Sequence, residues 1–359
     1  MPDAPQTAHA GVAQDARGPG GSVIEQVLNA LFAVVVGVGA SLLYFFGTNW
    51  LLDRLAADRI NSRGEYTSRE PLRLAIRPWL FLAPALIILG IYLVYPVFET
   101  TRLSLYDRTG NNFVAFANYR WALQNPEFLQ SVRNNLLWLL FVPSLSTAVG
   151  LVVATLADRV RWGNIAKSLI FMPMAISFVG ASVIWKFVYD FRGPNAEQIG
   201  VLNAIWVALG GEPQAWITIP FWNNFLLMII LVWIQTGFAM VILSAALRGV
   251  PEETIEAAQI DGASPFAVFF RVVIPQISST ILVVWTTITI VVLKVFDIVL
   301  AMTNGQWGTN VLANSMYNWM FRGGGDFGRG SVIALVIMVA VVPIMVWNIR
   351  RFQAEERMR

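Results

Sequence analysis

The sequence predicts an all-α polytopic membrane bundle of about seven transmembrane helices, with the N-terminus outside and the C-terminus inside. Three observations carry this expectation. Of 359 residues, 56% are hydrophobic and only 13% charged, against about 25% charged in soluble domains, and the mean hydropathy is +0.60. Apolar runs of roughly 20 residues, enough to cross a hydrocarbon core, occur at about 27–50, 79–98, 135–156, 168–189, 222–246, 277–301 and 330–349. Arginine and lysine gather in alternate connections, which sets orientation.

Residues 1–22, rich in Ala, Gly, Pro and Gln without apolar period, are expected to be a disordered tail. The tail sets Arg17 against Asp3 and Asp15, and the run behind it is long enough to span. It is therefore a retained helix and not a secretory signal. Residues 23–77 hold this first span and a basic loop carrying Arg54, Arg59, Arg63, Arg69, Arg73 and Arg77; residues 78–359 form the main membrane domain. Arg159, Arg161 and Lys167 follow the third span, Arg350, Arg351, Arg357 and Arg359 close the chain, and 193–247 lacks Lys and Arg altogether. These basic segments are cytoplasmic by the positive-inside rule. The outer segments 99–134, 190–221 and 303–329 are expected to form short surface helices and turns, with a turn signal at Asn125-Pro126-Glu127.

Composition removes several chemistries. There is no cysteine for thiolate metal sites or disulfides, and the single histidine, His9, stands alone in the tail. No metal site and no catalytic cluster are expected. No G-x-x-x-x-G-K-[ST] phosphate loop is present, so any nucleotide chemistry must come from another subunit. The net charge of +3 reflects loop topology and not a nucleic-acid partner.

Between the fifth and sixth runs lies a charged segment, about 248–275, far longer than a connector requires. Pro251 suits the first turn of a helix, Glu252 and Glu253 suit its N-terminus, and Gly262 suits its end. Ser264-Pro265 then supplies an N-cap and first-turn proline for a second arm. In that arm Phe266, Phe269, Phe270 and Val273 are spaced for one apolar face. Ala257, Ala258 and Ala263 are small enough for close approach. A helical hairpin on the cytoplasmic side is expected, with a docking role preferred over a plain connector.

Glu256-Ala-Ala, Asp261-Gly-Ala, Phe269 and Ile274-Pro275 together resemble the EAA motif of permease subunits of bacterial ABC importers. Ala246-Leu247 with Pro251, Lys294-Val-Phe-Asp297, Met302-Thr-Asn-Gly305, Phe116-Ala-Asn-Tyr119, Asn134-Asn135 and Met172-Pro173 extend the likeness over about residues 75–355. It is to the carbohydrate-uptake permeases of the maltose and glycerol-phosphate type, and the extra N-terminal span resembles the larger alpha-glucoside permeases. Val272 replaces the usual isoleucine, and Asn304-Gly305-Gln306 replaces a common double glycine. The resemblance implies a multi-pass permease of the bacterial plasma membrane working by alternating access, with no cofactor of its own. It implies two ATPase subunits that hold ATP and Mg, a second permease in a pseudo-twofold pair, and an external sugar-binding protein. Glu256, Ala257, Ala258, Asp261, Gly262 and Ala263 would then contact the ATPase. The cargo implied is an oligosaccharide or alpha-glucoside of the maltose, trehalose or sucrose type. Alternatives are glycerol phosphodiesters, or a self-sufficient secondary transporter, for which Asp297 is the only span carboxylate available.

Polar and aromatic residues within the spans are candidates for the path, because they are costly in lipid. They are Trp233, Gln235, Thr236 and Phe238 in the fifth span and Trp285, Thr287, Thr289, Lys294 and Asp297 in the sixth. The competing reading for the threonines is bonding to their own helix. For Lys294 and Asp297, three apart, it is a structural ion pair on one helix face. Most tryptophans, including Trp50, Trp79 and Trp347, are expected at the membrane interfaces.

Overall fold

The computed structural model describes residues 23–60, 66–193, 195–323 and 325–356. The tail at 1–22, His9, Arg63, Arg357 and Arg359 lie outside them. Contacts divide the described chain into two compact units that meet in sequence at Pro96 and Val97.

In the first unit, α1 (Val23–Leu55) and α2 (Glu70–Leu89) are long apolar helices. They associate through the Tyr44 hydroxyl, which donates to Leu80 O at 2.9 Å, and a Phe45–Phe81 stack at 5.2 Å. Most of their other apolar side chains, among them Leu43 and Phe46, are exposed, as lipid-facing residues must be. The basic loop contains a small antiparallel ladder, β1 (Arg59–Ile60) with β2 (Tyr66–Thr67), which an all-helical reading did not include. Asp58 and Asp53 pair with Arg73 (3.4 Å) and Arg77 (3.0 Å), so part of the loop's charge is neutralised locally. The helix continues through a widened turn at Gly90–Val94 into α3 (Tyr95–Ser104).

The second unit is built on two central helices, α5 (Pro126–Ala157) and α9 (Trp222–Arg248). Trp138, Val142 and Ala154 of α5 and Leu227, Ile230, Met240 and Leu243 of α9 are fully enclosed. Gly150 makes this closeness possible, since a Cβ there would stand 2.5 Å from Ala239 Cβ and 2.9 Å from Met240 N. Around the pair lie α4 (Ala117–Gln124), α6 (Gly163–Phe171), α7 (Phe178–Val188), α8 (Val201–Ala208), α10 (Glu252–Ile260), α11 (Pro265–Val268) and α12 (Ile274–Gln276). They are followed by α13 (Ser278–Leu293), α14 (Asp297–Met302), α15 (Leu312–Phe321) and α16 (Phe327–Glu356). Among the described residues, five helices are long and apolar enough to span, or up to seven if two bent pairs each count as one.

Three sequence expectations are corrected here. The fourth run is not one helix: α6 and α7 are bent by 108°. Pro173 sits in the break, the Ser177 side chain caps α7 by accepting from Gly180 N at 3.0 Å, and α9 approaches so closely that a Cβ on Gly237 would lie 2.7 Å from Ile170 O. The sixth run is also broken. At 1.5 Å per residue, the 16 residues of α13 reach only about 24 Å, and the chain breaks at 294–296 before α14. The break lets Val295, Ile298 and Val299 all enter the main core. Finally, Asn125-Pro126 is no turn but the start of α5, with Asn125 Oδ1 accepting from Phe128 N at 2.8 Å.

Candidate functional site

The hairpin forms from local signals. α10 opens at Glu252 and Glu253, stops at Ile260, and turns through Gly262 at φ +82, a conformation that costs glycine little. Gly262 N and Ala263 N close the turn on Gln259 O and Ala258 O, both at 3.0 Å. Ser264 Oγ then accepts from Ala267 N at 3.3 Å with Pro265 in the first turn. The apolar face of the second arm differs from its expected spacing. A five-residue widened turn, Phe269–Val273, shifts the register. Val268 and Val273 therefore pack inward with Val250 and Ile277, while Phe266 and Phe270 stay exposed and meet each other with tilted rings, centroids 4.5 Å apart. Of the six residues assigned to docking, Glu256, Ala257, Asp261 and Gly262 are exposed, and Ala258 and Ala263 are half-buried against the hairpin's own core.

Beneath the hairpin is a polar cluster that sequence inspection missed. Lys167 Nζ donates to Asp158 Oδ1 and Ser244 Oγ at 2.5 Å each, and Ser244 Oγ donates to Asp158 Oδ2 at 3.0 Å. The cluster ties the ends of α5, α6 and α9. A cavity of about 500 Å³ lined by Asp158, Arg159, Arg248, Glu252 and Phe269 adjoins it. Burial pushes the Asp158 carboxyl up, but the Lys167 ammonium, the Ser244 hydroxyl and the nearby Arg248 outweigh this and hold it below its ordinary value. A carboxyl with a depressed folded-state pKa adds stability above its unfolded pKa and loses it as pH falls through the folded one. Wild type is thus expected to be more stable than Asp158→Asn at neutral pH, by roughly 1–2 kcal/mol for partly exposed charged hydrogen bonds. That advantage should start to shrink as pH drops below about 4 and be gone below the depressed folded-state value; denaturation curves of the two proteins across pH check it.

The path candidates are not gathered into one wall. At 100° per residue, Trp233, Gln235, Thr236 and Phe238 point around α9. Gln235 and Thr236 are buried, Trp233 meets Trp185 edge-on at 5.8 Å, and Phe238 packs against the core. The hydroxyls of Thr236, Thr287 and Thr289 donate to Val232 O, Val283 O and Trp285 O at 2.7–2.8 Å, as the competing reading held. Trp285 Nε1 donates to Ser144 Oγ at 3.2 Å, and Trp285 with Trp347 lines a cavity of about 500 Å³. Lys294 and Asp297 do not share a helix face. Lys294 ends α13, Asp297 starts α14 as the acidic residue of its first turn, and the two form no ion pair.

At the other end of α5 and α9, asparagines grip the segment after α14. Asn134 Nδ2 donates to Gly308 O (2.8 Å) and Asn310 O (2.7 Å), Asn223 Nδ2 to Trp307 O (2.9 Å), and Asn224 Nδ2 to Gly308 O (3.3 Å). All three asparagines are fully buried. The gripped segment holds Asn304 and Trp307 at φ +51 and +54, each costing about 1–3 kcal/mol of backbone strain. The Asn134-Asn135 and Asn223-Asn224 pairs were visible in the sequence, but nothing local revealed what they bind.

The chain matches the model of the family described as "Binding-protein-dependent transport system inner membrane component" over residues 146–353. It is 65% identical to the alpha-glucoside transport system permease protein AglF of Rhizobium meliloti (strain 1021), covering 92% of this chain and 99% of that one. It is 52% identical to the osmoprotective compounds uptake permease protein GgtC of Synechocystis sp., over 78% and 100% of the two chains. In fold it resembles a chain of a bacterial ABC transporter involved in import of the acidic polysaccharide alginate, with a TM-score of 0.67, 20% identity, and 79% and 99% of the chains covered. The chain therefore belongs to the binding-protein-dependent transport system inner membrane component family, and is a multi-pass inner-membrane, non-catalytic permease subunit of an ABC importer.

Proposed function

We propose that the chain carries alpha-glucosides of the maltose, trehalose or sucrose type. The observation that carries this reading is the 65% identity to an alpha-glucoside permease across 92% of the chain. The partners are a second permease, two ATPase subunits binding ATP and Mg, and an external sugar-binding protein. A solved relative of the same fold is in complex with an alginate pentasaccharide-bound periplasmic protein, which supports the last of these. In this reading the chain lies with its N-terminus outside, residues 1–22 a tail, 23–77 an added span and loop, and 78–359 the permease domain. The hairpin faces the cytoplasm, and Glu256, Ala257, Ala258, Asp261, Gly262 and Ala263 meet the ATPase. Alternating access then opens a path past Trp233, Gln235, Thr236, Phe238, Trp285, Thr287, Thr289, Lys294 and Asp297.

Exposure favours this docking role. Four of the six hairpin residues face out, and the α10–α11 turn is closed by its own backbone bonds, so it presents a fixed shape without a partner. The test is ATP-dependent uptake of labelled maltose, trehalose and sucrose into proteoliposomes holding the whole importer and its binding protein. Accumulation of at least one glucoside is expected. Uptake of a different solute class with no glucoside taken up would overturn the cargo assignment.

A further inference from the structure

The gripped segment carries a feature with no structural need. Trp307 holds a left-handed backbone at φ +54 and ψ 30, and the residue is 47% exposed. Asn134, Asn223 and Asn224 fix it by binding the carbonyls of Trp307 and Gly308. A tryptophan of the interfacial belt needs only a ring at the right depth, and gains nothing from a constrained backbone. Constraint of this kind is expected where a side chain must be presented at one angle.

One amide lies against the residue that follows Trp307, and another belongs to the residue that precedes it. The Gln130 side chain lies directly against Gly308, so that a Cβ on that glycine would be 3.0 Å from Gln130 Nε2. Gln306 precedes Trp307 and is exposed. Neither glutamine side chain has a hydrogen-bond partner among the described residues. A fixed, half-exposed indole offers an apolar face, and the free amides each offer donors and an acceptor. A pyranose ring presents the complementary pair, an apolar C–H face and a rim of hydroxyls. An acidic group would find no cation among these three side chains, and a lipid chain would leave the amides unsatisfied.

We propose that Trp307, Gln130 and Gln306 form a saccharide subsite at the ends of α5 and α9, apart from the path residues within the spans. It rests on the carbohydrate reading given above. The fixed indole stacks on one sugar ring while the two amides bind its hydroxyls, holding the sugar before it enters the spans.

The assembled importer, labelled with 5-fluorotryptophan and placed in nanodiscs, tests this by fluorine NMR. The resonance lost in Trp307→Phe identifies the residue. Titration with trehalose, maltose or sucrose, without the binding protein, is expected to shift that resonance and to saturate. Gln130→Ala and Gln306→Ala should each weaken the titration roughly threefold to tenfold, the value of one neutral hydrogen bond. A resonance that ignores sugar but broadens with a spin-labelled lipid would make Trp307 a belt residue and overturn the subsite. One that moves only when the binding protein is added would make it a protein contact, with the same consequence. Glucoside uptake by the same preparation separates the two levels. Uptake with a silent resonance sinks the subsite alone, and absence of glucoside uptake sinks the cargo reading and the subsite with it.

Discussion

Uptake through the assembled importer is expected to fall by about an order of magnitude when Gly262 is replaced by valine, while the chain remains folded in the membrane. Gly262 sits at φ +82 with nothing within 4 Å of where a Cβ would lie, so the new side chain meets no obstacle. The cost is purely conformational, about 1–2 kcal/mol for a residue forced into the left-handed region. That is enough to shift the turn's population 5- to 30-fold. The turn is what sets Asp261 and Ala263 in place and closes α10 against the second arm, so its loss disorders the surface offered to the ATPase. Gly210 provides the control. It has φ +88, also with open space around its Cβ position, but lies between α8 and α9, in a segment read as external. Gly210→Val imposes the same backbone penalty and should leave uptake near wild type. Glu256→Lys, which reverses an exposed charge without touching the turn, should lower uptake and binding-protein-stimulated ATP hydrolysis together. Equal uptake by Gly262→Val and Gly210→Val would remove the hairpin from the coupling route.

The hairpin was legible in the sequence because its determinants are local. Gly262 and Ser264-Pro265 act through their own backbone angles and caps and appear where expected, while Pro251 falls one residue before the first turn, as the N-cap of α10. Span content was legible for a similar reason, since hydropathy needs no knowledge of neighbours. The broken spans were not. Hydropathy runs unbroken across 168–189 and 277–301, whereas the breaks answer to packing. α9 approaches α6 at Gly237, and Val295, Ile298 and Val299 must all reach the core. Lys294 and Asp297 illustrate the consequence: their spacing of three means one face only on an intact helix. Likewise Phe266 and Phe270 fit an apolar stripe by count, yet the widened turn at Phe269–Val273 moves them outward. Apart from Lys167–Asp158, nine positions apart, the bonds of the Lys167–Asp158–Ser244 cluster and of the asparagine grip join residues 77 to 176 positions apart, beyond any local pattern.

Gly150→Leu is expected to be strongly destabilising to the second unit. The atoms in its way are Ala239 Cβ at 2.5 Å, Met240 N at 2.9 Å and Ala239 C at 3.1 Å. Two of these belong to the backbone of α9 and cannot rotate aside, so the helices must separate. Helices in lipid associate by close packing and lack a hydrophobic drive of their own, and overpacking a tight contact costs about 1–3 kcal/mol or more. The midpoint of thermal denaturation in detergent should fall by about 5–10 °C. Gly37→Leu and Gly39→Leu in α1, where a Cβ would meet nothing within 4 Å, should leave it unchanged. Gly150→Ala clashes first with Ala239 Cβ, so adding Ala239→Gly should recover part of the loss and not all of it, because the α9 backbone stays in place. Full recovery would mean the backbones have room, and no recovery would mean the strain lies elsewhere. The consequences should also reach both ends of the pair. α5 and α9 carry the asparagine grip on Trp307 and Gly308 at one end and meet Asp158 and Ser244 at the other. A wedge at Gly150 that spreads them must loosen both together, whereas a purely local defect would disturb neither.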